Sequence, residues 1–150
     1  MYHVTKHYPH SLGLSACFRQ PGATSHCKDW HGYPLAFTFE FMARELDAND
    51  WVIDFGSLKP LKEWLVATFD HKMIIRADDP ALPDALAMQK RGWATVITMR
   101  RVGMEAFAAT AFAQCKQSFL IRRGYTPRVS LTKVTVAEHE GNSASYSEPL

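Results

Sequence analysis

The chain has 150 residues, 47% hydrophobic and 21% charged, a globular balance that excludes a disordered or fibrous protein. At this length one core buries roughly two thirds of the unfolded chain's surface, so a single domain over residues 1–150 is expected. Seventeen basic against fifteen acidic residues leave a formal charge of +2, too small and too scattered for a nucleic-acid or membrane surface.

Residues 1–10 show no basic region followed by an apolar run, so no secretory leader is expected. Nowhere does an apolar stretch approach the ~20 residues that cross a bilayer. A cytoplasmic protein is the expectation. Residues 11–20 then read as a short strand, and Pro21-Gly22 with small polar neighbours opens a loop toward Cys27 and His31. Leu35, Phe37, Phe39 and Phe41 alternate with Ala36, Thr38 and Glu40, the period of a strand with one strongly apolar face. The two strands are expected to pair antiparallel.

After a turn at Asp47-Ala48-Asn49-Asp50, Leu58, Leu61, Leu65 and Phe69 fall on one helical face, with Ser57 as N-cap and Pro60 in the tolerant first turn. That helix should end near Asp70. Pro80 and Pro83 predict a loop over 78–91 with one short helical turn, and 93–99 predicts a short strand. Gly103 opens a second helix whose stripe runs through Met104, Phe107, Ala108, Ala111, Phe112, Cys115 and Phe119, and Gly124 stops it. The last strand, 128–138, puts Val129 and Leu131 on one parity and Val134 and Val136 on the other. A bulge near Thr132-Lys133, or burial on both faces, would account for the slip. Residues 143–150 are polar and expected to fray. The order β-β-α-β-α-β describes an α+β fold, a mostly antiparallel sheet with two helices on one face.

Three cysteines cannot all pair within one chain, and a reducing compartment keeps them as thiols. Cys115 sits on the apolar stripe as a small hydrophobe. Cys27 stands four residues before His31 in a loop, a pairing competent for proton transfer. Asp70-His71 follows the first helix, where the carboxylate can orient the imidazole or the imidazole can simply complement the helix dipole. Glu138 ends the last strand.

Over nearly its whole length the chain resembles the 6-pyruvoyl-tetrahydropterin and 6-carboxytetrahydropterin synthase family. The resemblance rests on Cys27-Lys28-Asp29-Trp30-His31-Gly32, on Asp54-Phe55-Gly56-Ser57-Leu58-Lys59, on Phe69-Asp70-His71, on Val102-Gly103-Met104-Glu105, and on Val134-x-Val136-x-Glu138 with Tyr146. It implies Cys27 as general acid/base, Asp70 and His71 as a proton relay, and Glu138, with Glu105, on the pterin. A carboxylate suits that role because the 2-amino and N3-H edge offers two parallel donors.

The resemblance further implies a tunnelling fold whose sheets close into a barrel on oligomerisation, a hexamer with active sites between subunits. The implied reaction converts 7,8-dihydroneopterin triphosphate to 6-carboxytetrahydropterin, toward queuosine and related deazapurines. The alternatives are triphosphate elimination to 6-pyruvoyl-tetrahydropterin and a pterin-binding paralogue without turnover. For the triphosphate, Lys28, Arg19 and Arg100 are candidates by charge alone. In the family three histidines hold zinc. Here Phe18 and Tyr33 stand at two of those positions and only His31 is retained, whereas a catalytic zinc needs three protein ligands and an open position.

Overall fold

A run of alternating aromatic side chains decides the centre of the molecule. In a computed structural model, which describes residues 1–149, strand β3 (His31–Ala43) carries Leu35, Phe37, Phe39 and Phe41 completely buried. Strands β1 (Tyr2–Tyr8) and β2 (Leu14–Phe18) lie end to end along one side of it, both antiparallel. On the other side β6 (Val129–His139) and then β7 (Asn142–Tyr146) continue the antiparallel part. Beyond β2 the sheet becomes parallel, through β4 (Lys72–Arg76) and β5 (Val96–Met99). The expected antiparallel sheet is therefore extended at one end, and residues 143–146, expected to fray with the rest of 143–150, belong to the edge strand β7.

Helices α1 (Lys59–Phe69) and α3 (Met104–Gln114) pack on the aromatic face. Phe69 lies 4.8 Å from Phe37 and 5.3 Å from Phe107, which in turn meets Phe18 at 5.3 Å. These edge and tilted contacts knit the two helices to β2 and β3. Pro60 stands in the first turn of α1, but Ser57 does not cap it. A short 3-10 turn, Phe55–Leu58, comes first, and Asp54 caps that turn through the amide of Gly56. The Ser57 hydroxyl instead donates to the Asp54 carbonyl and pairs with the Tyr125 hydroxyl. After Gln114 the chain continues as a π-helical segment, Cys115–Ile121, that buries Cys115, Phe119 and Leu120. Burial pushes the Cys115 thiol up to about 12, which makes it an inert packing group.

The parity slip in the last strand is a bulge. Leu131 pairs with Phe41 and Lys133 with Glu40, so Thr132 has no partner in the ladder, and its hydroxyl donates to the Glu40 carbonyl at 2.9 Å. The extra residue returns Val134 and Val136 to the buried side already occupied by Val129 and Leu131.

Residues 78–91 hold a third helix, α2 (Leu82–Lys90), with Pro83 in its first turn. Its approach is fixed by Asp79, a buried carboxylate that accepts from the Ala81 amide and takes a two-pronged pair from Arg19 at 2.9 and 2.6 Å. The Arg19 guanidinium, aided by the Ala81 amide and opposed by desolvation, holds the Asp79 carboxyl below the usual carboxylate range. Because the folded value lies below the unfolded one, this stabilisation is complete above about pH 4 and is lost as pH falls through the folded value. Arg19→Ala leaves a buried charge unpaired and is expected to cost about 3 kcal/mol in urea denaturation at neutral pH. The deficit should shrink in acid, and equal stability at neutral pH would refute the assignment.

Among the described residues no helix is long and apolar enough to cross a membrane.

Candidate active site

Strand β2 separates two openings. Its residues Leu14, Ala16 and Phe18 are buried, while Ser15 and Cys17 alternate to the other side. One cavity, of about 500 Å³, is lined by Phe18 and by four of the residues singled out from the sequence: Cys27, His31, Glu105 and Glu138. These come from four separate stretches: the loop after β2, the start of β3, the first turn of α3 and the end of β6.

The Cys27 loop is pinned from several directions. The Gln20 amide donates to the Cys27 carbonyl, and Ser25 caps the turn at Cys27. Arg19, already tied to Asp79, also reaches the Lys28 carbonyl and lies over the Trp30 ring. The Nδ1 of His31 is 2.8 Å from the Asp29 carbonyl; a carbonyl only accepts, so Nδ1 carries the hydrogen and Nε2 its lone pair in the neutral ring. Gly32 permits the close approach of β2, since a Cβ there would stand 2.5 Å from the Ala16 carbonyl oxygen.

Glu138 is oriented by a neighbour that sequence reasoning missed. Asn142 donates to Glu138 Oε1 at 2.8 Å across the turn between β6 and β7, and His139 Nε2 stands 3.5 Å from the same oxygen. Gln20 is a second such residue: its side-chain amide donates to the Val102 carbonyl and so sets the entry to α3. Gly103 adopts φ +122 at that entry, a conformation that suits glycine. An acceptor four residues before Asn142 across a tight turn was the available signal for the first; nothing in the sequence pointed to the second.

Asp70 and His71 lie elsewhere. The second opening, a cleft of about 910 Å³, is lined by Ser15, Cys17, His71 and Lys72 together with the turn between α2 and β5. Asp70 caps the end of α1, with Oδ1 2.6 Å from His71 Nδ1. His71 holds a left-handed φ of 53, strained for a residue with a side chain, and its imidazole is 86% exposed. Within one chain, the structure joins Cys27, His31, Glu105 and Glu138 and leaves His71, with Asp70 bonded to it, at a different opening.

The two openings differ in charge. Among the described residues, the lining of the first includes two carboxylates and no Lys or Arg; that of the second includes His71 and Lys72 and no carboxylate. Neither Lys28, Arg19 nor Arg100 lines the first cavity, and Arg19 is committed to Asp79.

A profile of the 6-pyruvoyl tetrahydropterin synthase family matches residues 4–149. The chain belongs to that family. It is 28% identical over 144 residues to the 6-carboxy-5,6,7,8-tetrahydropterin synthase of Aquifex aeolicus, covering 92% of this chain and 86% of that one. To the enzyme of the same name from Rickettsia typhi it is 37% identical over 69 residues, 45% of this chain and half of the relative's length. A solved structure of an uncharacterized protein from Wolinella succinogenes superimposes with a TM-score of 0.81 at 18% identity, covering 99% and 98% of the two chains. The α+β architecture is the tunnelling fold of the pterin synthases.

Membership of the pterin synthase family poses the question of zinc. Phe18, which the sequence resemblance sets against the first zinc histidine, is 3% exposed, backed by Phe107 and 4.9 Å from His31. Tyr33 is 5.9 Å from His31. Among the described residues no three His, Cys, Asp or Glu side chains converge as a metal-binding group. A phenyl ring offers no lone pair, so the residues present do not fit a three-ligand catalytic zinc.

Proposed function

We propose that this chain is a 6-carboxytetrahydropterin synthase-like lyase acting on 7,8-dihydroneopterin triphosphate. The observation that carries the reading is the meeting of Cys27, His31, Glu105 and Glu138, far apart in sequence, around one cavity sized for a small heterocycle. The named relatives from Aquifex and Rickettsia support the carboxy product over the pyruvoyl one.

In this reading Glu138, held by Asn142, accepts the paired donors of the pterin edge and fixes the ring. Cys27 then exchanges protons at the side chain attached to the ring. The Asp70-His71 couple joins from a second copy, whose basic opening complements the acidic one in charge. The antiparallel part of the sheet ends on one side at β1 and on the other at β7. Pairing these free edges between copies would close a barrel and remove both edges, the arrangement expected of a hexamer. Work in the cytoplasm, toward queuosine and related deazapurines, is part of the same proposal.

Incubation with 7,8-dihydroneopterin triphosphate tests it. Release of acetaldehyde with 6-carboxytetrahydropterin is the expected outcome; a pyruvoyl product without acetaldehyde would move the assignment to the sibling reaction. A second reading, a pterin-binding paralogue without turnover, is favoured by Phe18 and Tyr33, and tight pterin binding with no product would establish it.

Glu138→Ala should weaken pterin binding about 30-fold, because two ring donors lose their acceptor in a half-closed pocket at a cost of about 2 kcal/mol. Fluorescence titration with neopterin measures this, and an unchanged affinity would remove Glu138 as the anchor.

A further inference from the structure

Where the family resemblance implies metal ligands, this chain has built a wall of rings. Phe18 is the pivot: 4.9 Å from His31, 6.3 Å from Tyr33, and edge-on to Phe107 at 5.3 Å. Tyr33 continues the wall to His139 at 5.9 Å. Such tilted and edge-to-face contacts are the favourable arrangements for aromatic pairs, and they leave Phe18 essentially without solvent. A side chain locked in this way does not move aside for an ion and its bound water.

Two of the nearby polar groups already have partners. His139 Nδ1 accepts from the Gly141 amide, and its Nε2 faces Glu138 and Asn142. Glu138 Oε1 is taken by Asn142. His31 lines the cavity with Nδ1 held by the Asp29 carbonyl, and Cys27 and Glu105 line it too, yet among the described residues no three such side chains stand close enough together to hold a metal. That anchoring would equally suit a metal ligand, but a lone imidazole does not hold zinc.

We propose that this pocket binds its pterin without a metal ion. The polar end, Glu138 with Asn142, takes the ring edge. The aromatic end receives the substituent at the six position by apolar contact with Phe18 and one hydrogen bond to His31 Nε2. The proposal rests on the pterin-binding reading above and deepens it, replacing metal coordination by packing and a single acceptor.

The full-length protein, produced in zinc-supplemented medium, is tested by counting metal per chain and by titrating with neopterin before and after EDTA. Expected are less than about 0.1 zinc per chain and a neopterin Kd that EDTA changes by less than about twofold. His31→Ala should weaken neopterin about fivefold with the metal count unchanged. The double variant Phe18→His with Tyr33→His restores three imidazoles and should acquire about one zinc per chain. If it fails to fold, the measurements on the natural sequence decide alone. One zinc per natural chain that disappears in His31→Ala, or a tenfold loss of affinity on chelation, overturns the proposal and leaves the pterin reading intact. A metal-free chain that does not bind neopterin overturns the pterin reading, and the proposal with it.

Discussion

Replacing Cys27 by alanine is expected to lower turnover of 7,8-dihydroneopterin triphosphate by about a thousandfold and to leave neopterin affinity within about twofold. The asymmetry follows from geometry. In the proposed reading, recognition of the ring edge belongs to Glu138, held by Asn142, while the half-buried Cys27 thiol lies on the loop before β3. A positioned acid/base acts on protons in flight during the reaction and contributes little to holding the ground state. Of the three thiols, burial raises Cys115 to about 12 and also raises Cys17, so neither is suited to ionise near neutrality. Steady-state rates and titrations on the same preparation separate the two effects. Unimpaired turnover by Cys27→Ala would remove the thiol from the chemistry, and a parallel collapse of affinity would make it a binding group.

How much of this was legible in the sequence depended on whether an element has one distinctive face. Strand β3 does, and its alternation of Leu35, Phe37, Phe39 and Phe41 located the core at once. The break between Leu131 and Val134 marked an irregularity open to two accounts, a bulge or burial on both faces, and the structure has the bulge at Thr132. Strands β1 and β7 have no such face: Tyr8 is the one fully buried residue of β1, and β7 has none. Edge strands exposed on both sides carry polar sequences that look like loop or tail. Strand β4 fails in the opposite way, since Ile74 and Ile75 are adjacent and both buried, so no alternation marks it. For α2, Pro80 and Pro83 argued against a helix, yet Pro83 occupies the first turn, where no acceptor is lost.

The candidate site divides along the same line. Cys27, His31, Glu105 and Glu138 were visible as residue types in a family order, and they do share a cavity. Asn142 was missed because what marks it is a hydrogen bond to another side chain, Glu138, and not its own residue type. The separation of the Asp70-His71 couple was invisible because it depends on which side of β2 each opening lies. Sequence order carries no information about that.

That separation leads to the second large effect. His71→Ala is expected to lower turnover about a hundredfold or more, because in the proposed reaction the couple relays a proton. An imidazole 86% exposed contributes little packing, and its left-handed φ of 53 is that of a residue just past a helix C-cap. If the couple serves the cavity of a neighbouring copy, Cys27→Ala and His71→Ala remove different halves of the same site. Co-expressed, the two inactive chains mix at random in one oligomer. A site then has both groups intact only when its Cys27 comes from the His71→Ala chain and its His71 from the Cys27→Ala chain, which happens in about one case in four. Recovery of roughly a quarter of natural activity from two inactive parents is therefore expected, measured on oligomers purified through a different tag on each chain. If the couple served its own chain, every site in the mixture would lack one group, and no recovery in doubly tagged oligomers would refute the shared site.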